Sequence, residues 1–213
     1  MNQITITGDG VRLDGILRIP DHATGVVAFA HGSGSGRFSP RNQYVARVLD
    51  TGGFATLLLD LLTADEADDR RKVFNIDLLT DRLLLAQTWL ATHRPTSGLR
   101  AGYFGASTGA AAALQAAARR PQAVDAVVSR GGRPDLAGPY LSRVTAPTLL
   151  LVGGDDGPVI DMNEEALAQL TCEKQLIIIP GASHLFEEPG TLEQVAREAL
   201  HWFERHLSPA SSA

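Results

Sequence analysis

Arg100-Ala101-Gly102-Tyr103-Phe104-Gly105-Ala106-Ser107-Thr108-Gly109-Ala110-Ala111-Ala112-Ala113 reads as a short apolar strand, a tight turn and the opening of an alanine-rich helix. The turn carries Gly-x-Ser-x-Gly, and a strand–turn–helix setting is the one in which that pattern presents a nucleophilic serine. A serine held on so sharp a turn sits in a strained backbone conformation with its hydroxyl pushed clear of the sheet. Side chains two positions to either side would collide there, so glycines flank it. A Gly-rich turn that merely packs a helix onto a strand yields the same pentapeptide. The rest of the chain has to decide.

Working outward, short apolar runs alternate with helical patterns. Gln3–Thr7 and Val11–Ile19 around Gly8-Asp9-Gly10 predict an antiparallel hairpin, because Asp-Gly favours tight reversals. Val26–Ala30, Ala55–Leu59, Arg100–Phe104, Ala126–Ser129, Thr148–Val152 and Gln175–Ile179 are near-continuous hydrophobic runs, as expected of buried parallel strands. Between them, Leu79, Leu83, Ala86 and Leu90 recur at helical spacing with Asn75 as the cap. Thr191 and Gln194 give a capping-box pattern before the stripe Leu192, Val195, Ala199 and Trp202. The helix Thr108–Arg120 is almost bare, so it is expected to lie buried against the sheet directly behind Ser107. Residues 63–72 are dense in charge and read as a solvated loop or short surface helix. Repeated strand–helix units imply an open, mostly parallel α/β sheet with helices on both faces, whose ligands bind beyond the carboxyl ends of the strands.

At 213 residues the expectation is one domain over residues 1–207 with a small-residue tail at 208–213. No run approaches bilayer length, and Met1-Asn2-Gln3-Ile4-Thr5 lacks the basic and apolar regions of a signal peptide, so a cytoplasmic protein is expected. The net charge of −5 offers no basic footprint for nucleic acid. Cys172 is the only cysteine, which leaves no internal disulfide and no CxxC metal site. His22, His93, His201 and His206 lack H-E-x-x-H spacing, so neither a metal nor another cofactor is expected.

A serine hydroxyl needs a base within hydrogen-bond reach, itself oriented by a third group. Two downstream signals supply these in the chain order serine, acid, histidine. Gly153-Gly154-Asp155-Asp156-Gly157-Pro158 follows one strand, and Pro180-Gly181-Ala182-Ser183-His184 follows the last. Asp156 is expected to turn inward to His184, with Asp155 outward and solvated. One oxyanion donor is expected from the Thr108 amide, and the other from Ser33 in His31-Gly32-Ser33-Gly34-Ser35-Gly36. Neither G-x-x-x-x-G-K-[ST] nor G-x-G-x-x-G is completed there, which argues against a phosphate cradle. His31 is expected to stiffen its loop rather than act as a base. Arg130 and Arg133, in Arg130-Gly131-Gly132-Arg133-Pro134-Asp135, are candidates for recognising a substrate carboxylate or, alternatively, for ordering the loop through Asp135. Arg37 and Arg41 carry the same ambiguity.

Together these segments resemble the α/β-hydrolase superfamily, and within it the dienelactone-hydrolase-like group, over nearly the whole chain. The resemblance implies the α/β-hydrolase fold and a serine hydrolase of small carboxylic esters, lactones or thioesters, acting through Ser107, His184 and Asp156. It implies no helical lid after the sixth strand, and hence an open, shallow site. One departure stands out: dienelactone hydrolases proper carry cysteine where this chain has Ser107, which favours general esterase chemistry. A non-catalytic binding module on the same fold and an acyltransferase with the same triad are the rival readings.

Overall fold

The computed structural model describes residues 2–208, so most of the expected tail lies outside the described residues. The hairpin predicted at the start is present: β1 (Asn2–Gly8) pairs antiparallel with β2 (Val11–Arg18), turning at Asp9-Gly10, both with positive φ. β2 then pairs antiparallel with β4 (Phe54–Leu59). From there the sheet is parallel through β3 (Gly25–Ala30), β5 (Arg100–Ala106), β6 (Ala126–Arg130), β7 (Thr148–Gly153) and β8 (Lys174–Ile179). The order is β1-β2-β4-β3-β5-β6-β7-β8, so β5 lies inside the parallel part with β3 and β6 as neighbours.

β3, β4, β5, β6 and β7 are buried on both faces apart from Arg100, which is why their sequences are unbroken apolar runs. β8 departs from that expectation. Gln175-Leu176-Ile177-Ile178-Ile179 looks like an interior strand but sits at the sheet edge with Ile178 37% exposed, because nothing pairs beyond it.

Helices cover both faces. α1 (Pro40–Thr51) and α7 (Thr191–Leu207) pack on one side, where Val45, Leu49, Trp202 and Phe203 meet Phe29, Phe54 and Phe104. α4 (Ile76–Thr92), α5 (Thr108–Arg119) and α6 (Gly157–Gln169) cover the other. Asn75 caps α4 as read from the sequence, its side chain accepting from the Leu78 amide at 3.0 Å. The start of α7 differs from expectation. Its cap is Gly190 in the left-handed region, while the Thr191 hydroxyl donates back to the Glu188 carbonyl at 2.7 Å instead of capping its own helix.

All of α5 except Arg119 is buried, so the alanines do what their size permits and bring the helix axis close to the sheet. Between β6 and β7 there is only a 3₁₀ stretch, Pro134–Arg143, kinked at Gly138 and packed on α5 and α6. No helical lid is inserted there. The charged segment instead forms two short helices, α2 (Ala64–Ala67) and α3 (Arg70–Val73), after β4.

Candidate active site

Ser107 stands between β5 and α5 with φ 50° and ψ −122°, a conformation that costs a non-glycine residue about 1–3 kcal/mol. The surroundings enforce it. A Cβ on Gly105 would lie 2.5 Å from the Ala110 Cα, and one on Gly109 would lie 2.1 Å from the Ala30 carbonyl oxygen. The elbow therefore needs both glycines for close approach of backbone to backbone. The Ser107 amide donates to the Arg130 carbonyl at 3.3 Å, and the Arg133 amide donates to the Ser107 carbonyl at 3.1 Å, clamping the turn to the end of β6.

Asp156 and His184 come together as the sequence predicts. The His184 Nδ1 lies 2.6 Å from the Asp156 Oδ2. An ionised carboxylate only accepts, so Nδ1 carries the proton and Nε2 is left as the basic nitrogen. Asp156 occupies the N-cap position of α6 yet makes no capping hydrogen bond, because its carboxylate is turned to the imidazole. Asp155 is exposed, as expected.

The two loops are locked together. The Gly154 amide donates to the Ile179 carbonyl at 2.8 Å and the Asp155 amide to the Ala182 carbonyl at 3.0 Å. A Cβ on Gly153 would stand 2.3 Å from the Ala182 oxygen, which explains the glycine at the end of β7. His184 and Ser107 both border the Arg130-Gly131 turn. No hydrogen bond joins the Ser107 hydroxyl to the imidazole among the described residues.

Thr108 opens α5, so its amide has no acceptor within the helix. The Ser33 amide likewise has no hydrogen-bond partner among the described residues. Both residues line a cleft of about 670 Å³ that extends from the loop after β3 towards Asp60, α2, α3 and the start of β2. The walls of this cleft do not include Ser107, Asp156 or His184. It adjoins them through Thr108, Gly32 and Ser33, on the β4 side of the nucleophile.

His31 is a loop-stiffening residue. Its Nε2 accepts from the Leu61 amide and its Nδ1 faces the Gly32 carbonyl, both at 2.9 Å. Burial, opposed by the Gly32 contact and Asp60, holds its pKa below the usual histidine value, so it is neutral.

The four candidate substrate arginines have different fates. Arg37 lines the cleft, but its guanidinium is bound by Asp60 and lies 3.5 Å from Asp14. Arg133 makes a two-pronged contact with Asp135 at 2.9 and 2.7 Å, so it orders its own loop. Arg130 is only 7% exposed, donates to the Asn42 side chain at 3.1 Å and stands 5.8 Å over the Phe186 ring, with no carboxylate partner among the described residues. Burial, and secondarily Arg41, pulls its pKa down to about 10, so it remains a cation at neutral pH. Arg41 itself pairs with Glu187 at 3.1 Å.

Sequence reasoning missed several supporting groups. Asp60 fixes Arg37 through both its amide and its guanidinium, and its signal was a lone carboxylate at the end of an apolar strand. Asn163, fully buried on α6, donates to the Gly132 carbonyl at 3.0 Å and secures the turn that clamps Ser107. Glu188 receives the Ser183 amide at 3.0 Å and so braces the His184 loop; that contact with Ser183 holds its carboxyl below the usual range. Among the described residues no group of three or more His, Cys, Asp or Glu side chains is placed to hold a metal ion, and no helix is long and apolar enough to cross a membrane.

Known proteins share this fold. A dienelactone hydrolase from Anabaena variabilis is 58% identical, with 97% of each chain covered and a TM-score of 0.94. Est1E from Butyrivibrio proteoclasticus shares the fold at a TM-score of 0.82 over 96% of this chain and 98% of that one, with 16% identity. A Mycobacterium tuberculosis H37Rv protein, provisionally named a phosphoribosyl transferase, is 56% identical over 205 residues, which is 96% of this chain and 46% of that protein. The chain thus spans about half the length of the curated relatives it matches. Residues 13–208 match the profile of the dienelactone hydrolase family, to which this chain, on its α/β-hydrolase fold, belongs.

Proposed function

We propose that this chain is a serine hydrolase of carboxylic esters, with lactones and thioesters as related substrates. Ser107 Oγ attacks the acyl carbon as His184 Nε2 takes its proton. Asp156 holds the tautomer and stabilises the imidazolium. The Thr108 and Ser33 amides receive the developing oxyanion. The imidazolium then protonates the departing alcohol, leaving an acyl-enzyme. Water, deprotonated by His184, attacks that acyl carbon, and the acid leaves as Ser107 recovers its proton.

The observation that carries this reading is the 2.6 Å contact of His184 Nδ1 with Asp156, on the same sheet edge as the strained Ser107 elbow. The missing Ser107–His184 contact does not count against it, since catalytic hydrogen bonds often tighten only when substrate is bound. Membership of the dienelactone hydrolase family supports hydrolysis, and Ser107 in place of cysteine supports the ester reading. The transferase name belongs to a relative of which this chain matches 46%, whereas the hydrolase profile covers residues 13–208 here.

Turnover of a short-chain aryl ester by wild type and by Ser107→Ala is the test. The variant is expected to lose on the order of 10⁴-fold or more in kcat, as removal of a triad nucleophile does elsewhere. Equal rates in the two proteins would remove Ser107 from the mechanism.

A further inference from the structure

The cleft on the β4 side of Ser107 sits opposite the elements that bear Asp156 and His184. In the hydrolase reading, on which this inference rests, the leaving alcohol must lie within reach of the imidazole, and therefore towards β6–β8. With the carbonyl oxygen directed at the Thr108 and Ser33 amides, the other substituent of that carbon points towards β4 and into the cleft. We propose that this cleft is an acyl-side subsite for bulky apolar acyl groups, so that esters of medium-chain acids are preferred over acetates.

Size and lining both favour that occupant. About 670 Å³ is far more than an acetyl methyl needs and lies within the roughly 300–1,000 Å³ of sites that take drug-sized ligands. Leu62, Ala64, Ala67, Val73 and Leu79 give the cleft an apolar wall. The charges at its mouth largely answer one another: Arg37 is held by Asp60 and Asp14, leaving Arg12 exposed at the rim. A neutral acyl chain thus meets hydrophobic surface without displacing an unpaired charge.

The α2–α3 wall is also fixed in place. Thr63 and Glu66 form a reciprocal capping box, and Glu66 reaches Arg82 on α4 at 3.2 Å and Lys72 on α3 at 3.7 Å. Ala67 lines that wall as an exposed methyl. A larger side chain there fills the cleft without entering the core.

The experiment measures kcat/KM for p-nitrophenyl acetate, butyrate, hexanoate and octanoate, and for ethyl, butyl and octyl acetates, with wild type and Ala67→Phe. Wild type is expected to gain up to about fourfold per added acyl methylene, the factor corresponding to ~0.8 kcal/mol per buried CH₂, with little response to alcohol length. Ala67→Phe is expected to lower the octanoate-to-acetate ratio about tenfold or more. A flat acyl series, a gain that follows the alcohol, or an unchanged ratio in Ala67→Phe would overturn the subsite. Loss of all ester turnover would instead sink the hydrolase reading. The cleft is then decided by calorimetric binding of octanoate against acetate, where equal affinity, or no weakening by Ala67→Phe, counts against it.

Discussion

On the β4 flank of Ser107, Arg37 is answered by two carboxylates at the mouth of an apolar cleft. On the β6 flank, Arg130 is buried against an asparagine and a phenyl ring with no carboxylate partner among the described residues. The first arrangement neutralises polar groups and leaves hydrophobic surface for a neutral substituent. The second keeps a cation in a low-dielectric setting beside the turn that holds the nucleophile, where charge interactions are stronger than in water. The difference assigns different work to the two sides. In the proposed mechanism the β6–β8 flank carries the rate, through His184 and Asp156, and in the proposed subsite the β4 flank carries substrate selection.

The largest effect is expected on the rate-bearing flank. Asp156→Asn keeps the shape of the loop but removes the acceptor that fixes the His184 tautomer, so kcat should fall on the order of 10³–10⁴-fold. Asp155→Asn, one residue away and exposed, should change kcat less than about twofold, since surface substitutions away from such features have small effects. Steady-state assays of both on one aryl ester separate the two aspartates. Similar losses would erase the distinction drawn between them.

Arg130→Met tests the second half of the comparison. Replacing a buried cation that has no carboxylate partner among the described residues by an apolar side chain removes a desolvation penalty on the order of several kcal/mol, offset here by ~1 kcal/mol or more because Asn42 loses its donor. Denaturant unfolding should therefore show a variant no less stable than wild type. A loss of about 3 kcal/mol or more would mean that the guanidinium is held by structure rather than merely tolerated.

The smallest effect belongs to the wall of the cleft. Burial works against the charge on Glu66, but the Thr63 amide, Arg82 and Lys72 outweigh it and hold its carboxyl below the ordinary 4.5. A lowered carboxyl pKa contributes stability that is present above the unfolded value and lost as pH falls through the folded one. Glu66→Gln should cost ~1 kcal/mol or less at neutral pH, a part-exposed pair being screened by solvent. That difference should begin to shrink as the pH falls below about 4.5 and vanish only below the lower folded value, as thermal melts of the two proteins from pH 7 down into acid would show. A pH-independent gap would locate the effect in packing instead of charge.

The contrast between the flanks also explains what could be read from the sequence. The elbow, the choice of Asp156 over Asp155 and the position of His184 each depend on a short local pattern at the end of an apolar strand. Local patterns survive in one dimension. The cleft does not, because Arg12, Asp60, Val73 and Thr108 reach it from four separate parts of the chain. The charged run at 63–72 reads as solvated surface, and only the fold reveals that its exposed Ala64 and Ala67 line the cleft.

Arg130 misleads for a related reason. The sequence offers it as a binder of a substrate carboxylate or as a loop-ordering partner of Asp135, yet it ends β6 and is covered by α1 and Phe186. At β8 the error runs the other way, since an apolar run states what a strand is made of and not whether another strand lies beyond it. Thr191 shows the limit of capping motifs: its hydroxyl found the Glu188 carbonyl, and a left-handed glycine opened the helix in its place.

The central claim is that Ser107 is a nucleophile activated from the His184 side, and covalent labelling of the folded protein tests it most directly. Intact mass after brief exposure to a fluorophosphonate should show one adduct, mapped to Ser107, in wild type. The adduct should be absent in Ser107→Ala and formed far more slowly in Asp156→Asn. A folded wild-type protein that stays unlabelled, or an adduct that persists in Ser107→Ala, would contradict the account.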